Sequence, residues 1–336
     1  MAPRDDDTVR LPARRGPEPG PSRHSRRLFL ACAACAAAAA GGTGWWLFGR
    51  KPAPPIPVPT VAPTAAPEAA PAPTQAPKIA LRVAGEQAIC DNHPTGLDVF
   101  RFDKNQSIVV LDFARLAEQG AMLNRVAAMT EKNGMPHDLA LDDAALDHAI
   151  RAGGDTPETF YYGHDYGAGE LTRFFAATDR QKLELTQGEA WLRQLLEQEG
   201  ALQSGGNIGL ISIPAVSEGG VTIDMRRTIL HHELSHGEYF TNPAYEGWTR
   251  EYWSKVLDTP TRAAFRKFLV SENYDPGIET LMANETQAYL MFTPSADFFR
   301  PELVGMNETA IRDLRRRFRE GMPAGWLRDV AMAEAR

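Results

Sequence analysis

Cysteine is almost missing from this chain of 336 residues: there are three, and Cys32 and Cys35 lie in an apolar run near the start. Cys90 is left alone in the remainder. That excludes an intramolecular disulfide there, and a lone cysteine in a globular segment is structural before it is reactive. A basic surplus is missing too. Residues 78–336 carry 27 Lys+Arg against 38 Asp+Glu, a formal charge of −11, which leaves no electrostatic footprint for nucleic acid. The Arg-rich stretch "RDLRRRFRE" does not contradict this, because Ile311, Leu314 and Phe318 recur beneath it at helical spacing and make it the solvated face of an amphipathic helix. No repeat with a period of about 20–50 residues is present, which excludes a solenoid or propeller.

The amino terminus reads as an address. Arg26 and Arg27 precede 22 residues, Leu28 to Gly49, without a charge. At about 1.5 Å per residue such a run crosses a hydrocarbon core of about 30 Å, and Trp45-Trp46 followed by Arg50-Lys51 has the composition of an interfacial belt. Its Ala- and Gly-rich character fits a cleavable signal as well, so residues 28–49 are a signal or a membrane anchor behind a basic cytoplasmic n-region, 1–27. Residues 50–77 follow as a Pro/Ala-rich linker, too poor in apolar side chains to build a core and stiff enough to act as a spacer. The hexapeptide "SRRLFL" resembles the bacterial twin-arginine export signal. That resemblance implies a domain, 78–336, on the outer side of the cytoplasmic membrane, held there by the N-terminal segment.

Within 78–336 the pattern is α+β and rich in helix. "KIALRVAG" and "SIVVLDFA" have the composition of short strands, and "ARLAEQGAMLNRVAAMTEKNG" that of a helix stopped by Gly134 and Pro136. Thr186 and Glu189 form a capping box ahead of a second helix, with Gly200 beyond its end. "NIGLISIPAVS" and "VTIDM" around "EGG" predict a hairpin. The last hundred residues are helices broken at Pro243, Pro260, Pro276, Pro294 and Pro301. The loop "FYYGHDYGAGE" offers His164, Asp165 and Tyr166 either to a substrate wall or to structural packing.

Three of eight histidines fall within "TILHHELSHGEYF", residues 228–240. Residues four apart on a helix share a face, so the imidazoles of His232 and His236 converge on one point. Glu233, about 100° further round, is misplaced for a third ligand but well placed to act on a metal-bound water. His231 has no partner at this spacing and faces away. "HELSH" resembles the motif of the HExxH zinc metallopeptidases, the zincins. The resemblance implies Zn²⁺ held by His232 and His236, Glu233 as general base, and an edge strand beside the helix, supplied here by "VTIDM", that pairs with a peptide substrate. Gly237 and Glu238 depart from the family's apolar helical continuation.

No histidine follows His236, so the third ligand is a carboxylate, with Glu246, Glu251, Asp258, Glu272, Asp275, Glu279 and Glu285 as candidates. In "GIETLMANETQAYLMF", Glu285 has Leu281, Met282, Ala288, Tyr289 and Phe292 three, four or seven places away, and a charge inside such an apolar stripe demands a cation or strong donor opposite. Glu279 is the more solvated of the pair. The gluzincin branch, whose third ligand is a Glu often preceded by Asn, implies the same choice through Asn284-Glu285. Tyr239, Tyr245, Tyr252 and Tyr289 are candidate oxyanion donors, unranked. The sequence thus predicts a zinc-dependent metallopeptidase of the bacterial envelope acting on a peptide or protein, with a non-catalytic, zinc-stabilised binding or scaffold protein as the alternative.

Overall fold

The computed structural model describes residues 78–333; the n-region, signal or anchor and linker expected over 1–77 lie outside the described residues. Among those described, no helix is long and apolar enough to cross a membrane. In chain order the elements are β1 (Arg82–Ala84), α1 (Glu86–Cys90), β2 (Leu97–Phe102), β3 (Ile108–Phe113), α2 (Leu116–Thr130), α3 (Asp143–Ala152), β4 (His164–Gly167), α4 (Ala168–Gln181), α5 (Gln187–Gln198), β5 (Gly209–Pro214), α6 (Ile223–Thr241), α7 (Pro243–Glu251), α8 (Thr259–Ser271), α9 (Glu279–Phe292), α10 (Glu308–Gly321) and α11 (Trp326–Ala333). The architecture is therefore α+β.

The five strands form one mixed sheet in the order β1-β2-β3-β5-β4. β1 and β2 are parallel, as are β3 and β5, while β2–β3 and β5–β4 are antiparallel. All six residues of β3 and all six of β5 are buried, which is why both read as unbroken apolar runs. Ile108, Val110, Ile211 and Ile213 meet Ile229, Leu230 and Leu234 of α6. Val109 and Leu111 alternate to the other face, which α2 covers.

Most local expectations hold. The α5 cap is reciprocal, with Glu189 N donating to Thr186 Oγ1 at 3.1 Å and Thr186 N donating to Glu189 Oε2 at 2.8 Å. Pro243 and Pro260 open α7 and α8, and Pro301 opens a 3₁₀ turn. Ile311, Leu314 and Phe318 are buried under α10 while Arg316 pairs with Asp313 and Glu320 in solvent. Cys90 is buried.

Three expectations are corrected. "KIALRVAG" contributes only Arg82–Ala84 to the sheet. The predicted hairpin does not form: "NIGLISIP" becomes β5, but "VTIDM" does not pair with it. Its Thr222 accepts from Met225 N at 3.2 Å and caps α6, so Ile223, Asp224 and Met225 are already helical. The strand propensity of a three-residue β-branched run loses to a cap followed by nineteen helical residues. The "FYYGHDYGAGE" segment is not a loop throughout: it supplies β4, the true edge strand beside α6, and the first turn of α4, and its residues from Asp165 to Glu170 line a cavity.

Helix α6 is fixed at both ends. Near its start, Arg226 is fully buried and donates to both oxygens of the equally buried Asp112 on β3, each at 2.8 Å, and to the Ile89 and Cys90 carbonyls at the end of α1. Near its end, α6 touches the sheet backbone to backbone. A Cβ on Gly237 would lie 2.8 Å from Ile108 Cγ2, and one on Gly209 would lie 2.8 Å from the Gly237 carbonyl oxygen. Gly237, a helix-weakening residue in isolation, is thus the contact that lets α6 lie close to β3 and β5.

Candidate metal centre

Helix α9 brings the second half of the site to α6. Gln287 Nε2 donates to Ser235 Oγ at 3.1 Å, and Gln287 Oε1 accepts from Tyr245 Oη of α7 at 2.6 Å. This polar stitch, buried throughout, sets the facing register of the two helices. One turn away, His232 Nε2 and His236 Nε2 stand 3.0 Å apart. Glu285 Oε2 lies 3.9 Å from the first and Oε1 3.7 Å from the second. His232, His236 and Glu285 therefore converge, each offering one atom within 4.8 Å of the others, in a group able to hold a metal ion.

The hydrogen bonds around the group fix its protonation pattern. Thr293 Oγ1 donates its only proton to the Ala288 carbonyl at 2.9 Å and so accepts from His232 Nδ1, 2.8 Å away. The proton of His232 then sits on Nδ1 and the Nε2 lone pair faces His236 and Glu285, the arrangement in which imidazoles bind metals. Burial, followed by the neighbouring His236 and His231 rings, holds His232 well below its ordinary value. His236 is lowered to about 4 by burial, with the Asn284 side chain opposing. Both rings are neutral at neutral pH, as ligation requires.

Glu285 is fully buried, and neither of its oxygens has a hydrogen-bond partner among the described residues. Burial raises it well above the usual carboxylate range, helped by the Glu131 charge and opposed by the Tyr274 hydroxyl and Lys132. Glu233, 6 % exposed, is raised by burial and then by the charges of Glu285 and Glu131, and its Oε2 is likewise unpartnered. It sits against Gly163, where a Cβ would come within 2.1 Å of Glu233 Oε1. The chain segment ahead of β4 thus covers the carboxylate on one side, and a side chain at Gly163 would displace Glu233 from this position.

Two further acids join. Asp165 on β4 lies 3.7 Å from His236 Nδ1, and it groups with Glu233 and His236, and also with Glu131 and Glu285, within the same 4.8 Å limit. Sequence reading left Asp165 undecided and gave Glu131 no role. His164 and Tyr166, its neighbours, point to the opposite face of the sheet and are buried; His164 Nδ1 lies 3.0 Å from Ser212 Oγ, and burial lowers it to about 3. Alternation along β4 thus separates one site residue from two packing residues. Asp165 is raised by burial and then by the Glu233 and Glu285 charges.

The remaining expectations are sorted by their contacts. His231 turns from the centre to Glu86 Oε1, 2.9 Å away, and packs against Phe292. Glu279 is exposed and accepts from Trp253 Nε1 and Arg266. Glu238 accepts from Asn105, Asn242 and Trp326, each at 2.7 Å, which explains a buried acid where an apolar residue was expected. Of the four tyrosines, Tyr245 is used by Gln287, Tyr252 donates to the Leu314 carbonyl, Tyr239 lines a cavity beside the centre, and Tyr289 packs edge-on against His232 with ring centres 4.9 Å apart. Tyr274, beside Glu285, was not singled out in the sequence.

A larger space lies beside the group and a smaller one reaches it. A cavity of about 610 Å³ is lined by Asp165 to Glu170 of β4 and α4, by Tyr239 and Phe240 of α6, and by Asn284 of α9. A small aromatic pocket reaches His232 and Glu233 from the side of Tyr161, Tyr289 and Phe298. Compared with protein-family models, curated proteins and solved structures, the chain matches none.

Proposed function

We propose that this protein is a zinc-dependent metallopeptidase of gluzincin type, cleaving peptide bonds on the outer side of a bacterial cytoplasmic membrane. The observation that carries the reading is the placement of Glu285: a fully buried carboxylate with no hydrogen-bond partner among the described residues, facing two imidazoles across 3.7 and 3.9 Å. An anion so placed is costly without a cation. Two neutral nitrogens and one carboxylate oxygen form a donor set that suits zinc and leaves a coordination position open. Zinc bound there supplies Lewis acidity and lowers the pKa of its water to about 7.

The chain's own residues divide the remaining work. Thr293 holds the His232 ring in the ligating tautomer. Glu233, adjacent to a ligand but turned from it, takes the proton of the attacking water and returns it to the departing amine. Its raised affinity for protons, caused by burial and the neighbouring acids, brings it towards the range in which a carboxyl group both accepts and releases a proton. Across the cavity, β4 is an edge strand, paired with β5 alone. No other strand among the described residues pairs with its outer edge, where Gly167 N donates to Glu170 Oε2 at 2.9 Å, and an extended peptide would add there through the remaining main-chain groups.

The test is direct. Purified protein should contain about one zinc per chain, lose it to a chelator, and hydrolyse members of a peptide library only when loaded. Glu233→Gln should keep the zinc and lower turnover by at least about 100-fold. Full activity in Glu233→Gln, or cleavage that survives complete zinc removal, would defeat the reading. Zinc bound without any turnover would leave the scaffold alternative standing.

A further inference from the structure

The proposed hydrolase leaves one buried acid without a task. Glu131, the residue after α2, is 4 % exposed and lines the cavity of about 610 Å³ beside the metal centre. Its Oε1 has no hydrogen-bond partner among the described residues. Asp165 shares that wall, and oxygens of Glu131, Asp165 and Glu285 lie within 4.8 Å of one another. A metal on His232, His236 and Glu285 engages only Glu285 of these three. Glu131, raised to about 8 by burial, and Asp165, also raised by burial, remain as an acidic inner wall that a nearby cation would hold ionised.

The buried cation nearby, Lys132, is divided among four acids, Glu131, Asp155, Glu272 and Glu285. Lys132 follows directly in sequence, but its ammonium sits over the Tyr161 ring, 3.8 Å from the centre, and 4.7 Å from the centre of Phe160, behind the wall rather than in the cavity. His137 lines the cavity with its nitrogens already engaged, Nδ1 with the Met129 carbonyl and Nε2 with Asp275, each at 2.8 Å. Arg173 is exposed and stands beside Glu170 at the outer part of the same space. One lysine shared by four acids leaves the inner wall short of positive charge, which a cationic ligand would supply.

Resting on the metallopeptidase reading, we infer that the cavity seats a primary ammonium group of the substrate next to the scissile bond, with Glu131 as its main counter-charge and Asp165 as the second. Charge-assisted hydrogen bonds of about 2.8 Å allow one ammonium nitrogen to bridge oxygens 4.8 Å apart. A guanidinium instead pairs best with both oxygens of one carboxylate in a planar fork, whereas the wall offers oxygens from separate carboxylates. The ammonium belongs either to the peptide's amino terminus or to a lysine-like side chain. The two share the same chemistry at Glu131.

Amino-acid hydroxamates, which chelate zinc directly, separate this inference from the reading beneath it. Zinc-loaded full-length protein is titrated calorimetrically with N-acetyl-norleucine hydroxamate (no ammonium), norleucine hydroxamate (α-ammonium) and Nα-acetyl-lysine hydroxamate (ε-ammonium). One ammonium-bearing ligand should bind at least about tenfold more tightly than the neutral one, and which of the two does so identifies the source of the amine. Glu131→Gln should shrink that advantage below about threefold, leaving zinc content and the neutral ligand's Kd in place. Equal binding of all three ligands by the unaltered protein overturns the inference and spares the metal centre, as does an advantage that survives Glu131→Gln. A second divalent ion taken up in a Glu131-dependent way also overturns it, since the wall would then be a metal site. Protein that holds no zinc and binds none of the three sinks the metallopeptidase reading itself.

Discussion

Two buried carboxylates on either side of α6 have opposite surroundings. Asp112 is fully buried on β3 and receives two bonds from Arg226 and one from Asn92 at 2.7 Å. Glu285 is as fully buried on α9 and receives none among the described residues. Burial raises both, but at Asp112 the Arg226 guanidinium works against it, whereas at Glu285 the next cause is another carboxylate, Glu131. The first pair is structure completed within the chain. The second is left without a compensating charge of its own, and on the proposed reading a bound cation would complete it, which is how a site differs from a core.

The comparison breaks most visibly at Asp112. Asp112→Asn leaves Arg226 charged and buried without its partner, so urea unfolding should show a loss of about 3 kcal/mol; a change near zero would mean that the carbonyls around Arg226 suffice. At Glu285 the same kind of substitution should act with the opposite sign. In metal-free protein Glu285→Gln removes an uncompensated acid and should stabilise by about 1–2 kcal/mol, while zinc affinity falls by at least about tenfold. A destabilised apo-form would show that Glu285 has a protein partner after all.

A third expectation concerns pH. Glu285, Glu233 and Asp165 are all raised by burial and then by neighbouring carboxylates, Glu131 among them in each case, so within their range the folded apo-protein binds more protons than the unfolded chain, and stability falls as pH rises. The depressed histidines act in the opposite sense, but only below their ordinary 6.5, and Lys132, lowered to about 8, acts only above that value. Between pH 6.5 and 8 the carboxylates decide the sign. Metal-free protein should therefore lose stability across that window, by up to about 1.4 kcal/mol per pH unit for each proton held more tightly on folding, and saturating zinc should flatten or reverse the slope. A metal-free slope that rises would refute this assignment. The smallest effect is the control: Glu279→Gln, on the exposed first turn of α9, should change stability by less than about 1 kcal/mol and zinc binding not at all.

How much of this was legible depended on whether a local period carried it. His232 and His236 declare themselves by spacing, and Glu285 by standing where the helical stripe calls for an apolar side chain. Asp165 and Glu131 do not. Asp165 arrives because β4 pairs with β5, at Ile211. Glu131 arrives because the end of α2 is laced to the chain before α9, with Asp275 N donating to the Glu131 carbonyl at 2.9 Å and Asn133 N to the Asn273 carbonyl at 3.0 Å. No short-range pattern encodes either pairing. "VTIDM" shows the converse failure: its composition favours a strand, but Gly219 and Gly220 have positive φ and Thr222 caps, so the chain turns into α6 instead.

The bare contact between Gly237 and Gly209 bears on how this protein tolerates change. His236 rides on α6 one residue before that contact, so the altitude of its ring above the sheet is set by two absent methyl groups. Any side chain added at either position lifts the helix like a shim under a hinge, and the ring rises with it while the strands below keep their pairing. Damage there should surface as a chain that still folds but no longer binds the proposed zinc.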